Sequence, residues 1–549
     1  MNVISLRNLS MGNDSFAILN KSLARHLALR ELKLSGAGSY TLLLCVDPAL
    51  GSDRYQIVPE EKQALLTAAN DCALHAAVGH FLLLSRFDGR GGFIPAAKPL
   101  DFTPRAPLRG MYFATHFHNF YHNAPLEKVC EVVEDLALRG CNALSVWFDM
   151  HHYTGMDDPE AVRQAERLRT ILQYANRIGM GGTLSMLSNE AFAGSPEELR
   201  ADWRAQGRYH TSLCGHYHLE ICPSKEGGIE EILKKRREML AFFSDLKIDY
   251  VVYWPYDQGG CTCERCQPWG ANGFIKLLPH FSRLIHELLP QTKIIVSTWY
   301  FDKFIDGEWD AFYRLLTGGE LGDAAYIMSF FFGGGLPDCL KKGGVPRDVR
   351  FIDFPEISMY SCEPWGGFGA SLLTSFLQTT NQRSGRFYAG GYPYSEGIYE
   401  DCNKFIQLTY YSSLFEDAEA AVRAYVRYHF CVEGAELDEL TDALLLTERA
   451  LARTQSDTGA SCRYLIRNTA ETERVRSILT AYSRSLPSQI AADYRFRLFY
   501  LRAVVDDEMR RCDGYPLRSK LCQECMREIN DIYFADERTD GSVRAPVGC

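Results

Sequence analysis

No stretch of this 549-residue chain approaches the ~18 uninterrupted apolar residues that a membrane-spanning helix needs. Basic runs are equally scarce. None is longer than "KKRR" at 234–237, which reads as an exposed helix face, and the formal charge is −10. Neither nucleic acid nor a membrane is therefore an expected partner. The opening "MNVISLRNLSMGNDSF" lacks the basic segment and apolar core of an export signal, so a cytoplasmic protein is expected. Phosphate-loop and dinucleotide glycine spacings are missing too: "SFFFGGGLP" and "PWGGFGA" follow neither pattern and read as loops.

A folded, multi-domain composition is present instead, with 46% apolar, 23% charged and 12% aromatic residues. Residues 1–105 read as an N-terminal α/β domain. "SYTLLLCVD" and "DRYQIVPE" have strand character, "KQALLTAANDCALHAAVGHFLLLSRF" reads as an amphipathic helix, and "PAAKPLDFTPRAPLRG" as a proline-punctuated linker.

From 106 to 405, eight apolar runs of strand length alternate with helical patterns: 110–117, 143–150, 181–188, 249–256, 293–300, 325–332, 350–357 and 386–393. Eight such units predict a (β/α)8 TIM barrel, within an α/β fold class. An open doubly wound sheet is the alternative, but "THFHNFYHNAP" stands where its glycine-rich turn belongs. Residues 406–549 are helical in pattern, with no strand expected, and predict a C-terminal α-helical domain.

Barrel active sites lie at the C-terminal ends of the strands. Those ends carry His116, His118 and Asn119; Trp147, Asp149, His151 and His152; Asn189 and Glu190; Trp254, Tyr256 and Asp257; Trp299, Tyr300 and Asp302; Glu356 and Trp365; Tyr392, Tyr394 and Glu396. Aromatic rings stack on the apolar face of a pyranose, and paired carboxyl groups break glycosidic bonds. Asp257 and Glu356 are the leading pair, with Glu396 and Glu190 in reserve. Asp149 and Asp302 are open to a second reading as helix caps, and Trp254 and Trp299 to one as core packing. His116, His118 and His151 lack the H-E-x-x-H zinc spacing, so hydrogen bonding to hydroxyls is the preferred role.

"YQIVPEEKQALLTAANDCALHAAVGHFLLL", the linker, and then "RGMYF" opening the barrel resemble the N-terminal domain and barrel entry of family 20 β-hexosaminidases. The domain order, with its helical tail, resembles family 67 α-glucuronidases. The resemblance implies a glycoside hydrolase acting on a terminal sugar, with Arg109 holding sugar hydroxyls. Family 20 carries an Asp-Glu pair after strand four, the glutamate giving the proton; this sequence reads Asp257-Gln258. An amide cannot give that proton. Either Asp257 is the acid, paired with a remote carboxylate such as Glu356, or another residue protonates the leaving group. "YSEGIYEDCNK" is similar to a motif of family-67-like barrels and keeps Glu396 among the candidates.

Eighteen cysteines are scattered along the chain, and without an export signal reduced thiols are expected. Cys261, Cys263 and Cys266 stand apart, four residues after Asp257. With Cys222 as the first choice for a fourth ligand, then Cys214, His216 or His218, they form a candidate structural zinc site; free thiols are the alternative. The expectation is an exo-glycosidase for a terminal hexose or N-acetylhexosamine, acting on a small carbohydrate or glycoconjugate with no cofactor needed for chemistry. Arg109, His116, Asp149, His151, Glu190, Trp254, Tyr256, Trp299, Trp365 and Tyr394 would line its pocket. An α-glucuronidase-type hydrolase and a catalytically inactive carbohydrate-binding protein are the alternatives, and a homo-oligomer is left open.

Overall fold

The computed structural model describes residues 3–115, 119–202, 219–255, 260–303, 305–322, 324–329, 336–346, 349–357, 369–450, 455–456, 463–464, 469–515 and 518–534. No described helix is long and apolar enough to cross a membrane.

The N-terminal region is a six-stranded mixed sheet in the order Lys33–Leu34, Val3–Asn8, Tyr40–Val46, Gln63–Ala68, Tyr55–Pro59, Leu100–Phe102. The central strands Tyr40–Val46 and Gln63–Ala68 alternate: Leu42, Leu44, Ala64, Leu66 and Ala68 are buried, while Leu43, Leu65 and Thr67 between them are not. Contrary to the sequence reading, the expected helix beginning at Lys62 is a strand, Gln63–Ala68, followed by a helix only from Asp71 to Leu84. Asn70 starts that helix by accepting the Ala73 amide at 2.8 Å. Cys72 to Leu83 are buried without a break, because the helix is packed between the sheet and the barrel helix Leu126–Leu138. It lacks the polar face that amphipathic periodicity would need.

Eight parallel strands close into a barrel: Leu108–Phe113 (strand one), Ala143–Trp147, Gly181–Leu187, Ile248–Trp254, Lys293–Ser297, Ala324–Met328, Phe351–Asp353, and strand eight in two pieces, Tyr388–Gly391 and Tyr394–Ser395. Closure is direct, since Gly391 pairs with Arg109 and Tyr394 with Tyr112. Strands one to three are buried along their whole length, as expected where lumen and helices cover opposite faces.

Beyond the barrel the chain is helical, with Asp401–Ser412, Ala418–Phe430, Gly434–Ala450, Thr469–Ser485, Ser488–Ala492, Tyr494–Arg511 and Lys520–Phe534. The exception to the all-helical expectation is a two-residue antiparallel pair, Gln455–Ser456 with Arg463–Tyr464. A buried ion cluster ties the three regions together. Asp135 of the barrel helix meets Arg25, His26 and Arg495, while Asp401 meets Arg139 and Arg495.

Candidate active site

Alternation along the strands sorts side chains into two sets. Tyr112, Trp147, Leu187, Val252, Trp254, Ile295, Met328, Ile352, Phe354, Tyr392 and Tyr394 pack together inside the barrel. Their chain neighbours Met111, Phe113, Val146, Met186, Val251, Tyr253 and Phe351 pack outward with the helices. The inner set ends in a floor of rings. Trp254 lies 5.7 Å from Trp147, 5.9 Å from Trp299 and 4.9 Å from Phe354, and Tyr394 stacks on Tyr112 at 5.6 Å. At 4% exposure and with rings on several sides, Trp254 is packing material for the site floor, although its buried indole N–H has no hydrogen-bond partner among the described residues. Trp299, 8% exposed, stacks on Tyr300 at 4.6 Å.

The same alternation carries Glu356 and Glu396 inward, two residues beyond Phe354 and Tyr394. Glu356 is 3% exposed and its backbone bridges to Tyr394. Glu396 is half-buried and accepts the Tyr394 hydroxyl at 2.9 Å. Burial, then the charges of Glu400 and Glu356, push the Glu396 carboxyl up to about 8, against the pull of Tyr394. Glu400 is committed to structure: one carboxylate oxygen accepts from the Ser395 hydroxyl at 2.6 Å and from the Glu396 and Gly397 amides at 2.8 and 2.9 Å. Tyr533, on the last helix, donates to the Glu396 carbonyl at 2.7 Å. The two acids Glu356 and Glu396 thus sit close enough to interact, and the raised value of Glu396 favours its protonated form.

A second group of titratable side chains follows strands two and three. Asp149 is buried and lies 2.9 Å from His152 Nε2. Burial pushes Asp149 up despite that partner, and the carboxylate in turn raises His152. Asp149 does not cap the turn it precedes, whereas Asp302 accepts the Glu308 and Trp309 amides and caps the helix Glu308–Gly318. Glu190 is fully engaged. One oxygen accepts from His151 Nδ1 at 2.9 Å and from the Met150 amide at 2.8 Å, and the other lies 3.5 Å from buried Arg236. Burial alone would raise Glu190, but His151 and Arg236 hold it below its usual value. It positions His151 and is not free to transfer a proton.

Arg109 departs from the expectation. It lies at the N-terminal end of strand one, the end opposite the acids, where its guanidinium donates to the carbonyls of Gly140 and Ala106 and to Asp53 at 2.6 Å. Every arm of the fork is spent, one on joining the N-terminal region to the barrel through Asp53 and two on barrel carbonyls, which leaves it nothing for a sugar. His116, Tyr256, Asp257 and Trp365 lie outside the described residues, as do Cys214, His216 and His218. The segment holding Asp257 is flanked by Pro255, whose carbonyl accepts the Trp269 indole at 2.8 Å, and by Gly260, which exchanges two hydrogen bonds with the Asn189 side chain. Sequence reasoning missed the supports Arg236, Glu400 and Tyr533. Glu400 and Lys404, at i and i+4 in "YEDCNK", carried a readable signal; the contact from Tyr533 spans 137 residues and carried none.

The sulfur atoms of Cys222, Cys261, Cys263 and Cys266 all lie within 4.8 Å of one another, so the fourth member is the one the sequence put first.

No protein-family model and no curated protein matches the sequence. Solved structures do share the fold. A GH138 enzyme targeting pectin rhamnogalacturonan II superposes with a TM-score of 0.59 at 10% identity, covering 97% of this chain and 71% of that one. The GH89 enzyme of Clostridium perfringens, in complex with its substrate GlcNAc-alpha-1,4-galactose, gives 0.62 at 11% identity over 91% of this chain, which spans only 61% of that enzyme's length. The GH20 beta-N-acetylhexosaminidase of Streptomyces coelicolor gives 0.52 at 12% identity, covering 78% of this chain and 92% of that one. The chain therefore has the TIM-barrel architecture of these glycoside hydrolases, including the family 20 whose resemblance the sequence carries.

Proposed function

We propose that the chain is a glycoside hydrolase that removes a terminal hexose or N-acetylhexosamine, with Glu396 as the acid and Glu356 as nucleophile or water-activating base. The observation that carries this reading is the pair itself: two carboxyls close enough to interact, one of them pushed up to about 8 chiefly by burial, above a floor of aromatic rings. Glu396 gives its proton to the departing glycosidic oxygen as the bond to the anomeric carbon breaks. Glu356 either takes the sugar covalently, after which Glu396 removes a proton from the water that hydrolyses the intermediate, or removes a proton from the water that attacks directly, after which proton exchange with solvent restores both groups. Asp257, from its place directly after strand four, is a third carboxylate that steers the substrate or shares the acid role. Asp149, His151, Trp299 and Tyr394 would surround the sugar. The N-acetylglucosamine named with the GH89 structure and the N-acetylhexosaminidase activity of the GH20 enzyme support the amino-sugar option.

A panel of aryl glycosides of hexoses, N-acetylhexosamines and uronic acids, in both anomers, tests the reading. At least one should turn over. Glu396→Gln and Glu356→Gln should each slow it by about 10²–10⁴-fold while sugar affinity is kept. Gln258 favours a second reading, a carbohydrate-binding protein without turnover. Sugar binding with no hydrolysis across the panel, and unchanged affinity in Asp257→Asn, would select it.

A further inference from the structure

We propose that Cys222, Cys261, Cys263 and Cys266 hold one zinc ion that fastens the segment after strand three to the segment after strand four. Cys222 Sγ lies 3.8 Å from Cys263 Sγ and 3.7 Å from Cys266 Sγ. Four thiolates at about 2.3 Å from a tetrahedral zinc are separated by about 3.8 Å. A disulfide would bring two sulfurs to about 2.05 Å. The two spacings match edges of such a tetrahedron, and all four sulfurs lie within 4.8 Å of one another.

The backbone is shaped for that centre. The Cys266 and Gln267 amides both donate to the Cys263 carbonyl, at 3.0 and 3.1 Å, making the tight turn that returns two thiols to one point. Outer donors are in place as well: the Asp202 amide points at Cys261 Sγ at 3.4 Å, and the Ser224 hydroxyl lies 3.1 Å from Cys266 Sγ. Such N–H and O–H groups stabilise metal-bound thiolates. Three of the four cysteines are buried and Cys263 is half-buried, so an uncompensated cluster of thiolates would be costly, and a divalent cation offsets half of their charge.

The ion would act as a brace. The Asn189 side chain already links the carbonyls of Ile221 and Gly260 at 3.0 and 2.8 Å, next to Cys222 on one side and Cys261 on the other. Asn189 precedes Glu190, which holds His151, and Gly260 closes the segment that contains Asp257. Four protein ligands leave zinc no open position, so it takes no part in bond breaking. Zinc binding does not rest on the glycosidase reading; its effect on turnover does.

The test uses the full chain, purified without chelator and dialysed extensively. Elemental analysis should find one zinc per chain. A thiol-blocking mercurial should release it to a chromogenic indicator, and the melting temperature should fall on release. Cobalt(II) exchanged into the site should show the visible bands of a tetrahedral thiolate complex. Cys263→Ser, at the most exposed ligand, and Cys222→Ser should each lower the zinc content. Metal-free protein with four titratable thiols, a disulfide among the four, or full zinc content in both variants would overturn the proposal. If either variant fails to fold, stoichiometry and the cobalt spectrum of the unaltered chain decide alone.

Discussion

At the scale of single residues, the site is a matter of which carboxyl keeps its proton. Among the described residues two acids are pushed to about 8, the buried Asp353 and the half-buried Glu396. A raised value alone does not make a catalyst. Asp353 shares a face with Phe351, on the helix side of strand seven, and faces Tyr410 and Tyr411 of the helix Asp401–Ser412. Glu396 shares a face with Tyr394, whose ring belongs to the inner set. Its raised value also has a stability consequence. Between the unfolded value of about 4.3 and the folded value of about 8, the native state holds a proton that the unfolded chain has lost, so the stability this group contributes is full below that window and lost as pH rises through it. Glu396→Gln removes the effect. Thermal melts at pH 5 and pH 8 should therefore show the variant gaining on the parent as pH rises; a constant difference would mean that Glu396 is not protonated in the fold.

At the scale of elements, strand placement was legible because a parallel barrel prints apolar runs at regular intervals, and all eight runs became strands. Alternation within those runs, carried past the strand ends, also points to Glu356 and Glu396. Two features could not be read. The helix Asp71–Leu84 is apolar all round because it is covered on every side, so periodicity could neither show a buried face nor separate it from the strand before it. Arg109 has an ion-pair partner in another region, and nothing near it in the chain marks that it is spent. Gly79 shows how tightly this helix is set. A Cβ there would stand 1.8 Å from the Leu138 carbonyl oxygen, and backbone cannot yield as a side chain does. Gly79→Ala should cost about 1–3 kcal/mol or more in denaturant melts, whereas a neutral result would show that the two helices can separate.

At the scale of the whole molecule, the N-terminal sheet, barrel and helical tail are joined through charges removed from water. Burial alone would raise Asp135 and Asp401, but Arg25 and Arg495 on the first, and Arg139 and Arg495 on the second, pull both well below the usual carboxylate range. For a lowered carboxyl, the contributed stability is present above the unfolded value, about 3.9, and is lost as pH falls toward the folded one. Arg495 serves both carboxylates, so Arg495→Met leaves each with less compensation. A loss of about 3–5 kcal/mol is expected, with the acid midpoint moved to higher pH. A midpoint that does not move would mean that the cluster does not hold the regions together.

The tail also reaches the proposed site, through Tyr533 on the Glu396 carbonyl. Nothing in the local sequence announces that contact, which is why the support of the acid was less legible than the acid itself. The proton on Glu396 is tested most directly by the pH dependence of kcat/KM on the best substrate of the aryl glycoside panel. A protonated Glu396 predicts activity that falls above about pH 8, and a Glu396→Gln variant that has lost both the rate and that limb. Full activity in the variant, with the same limb, would contradict it.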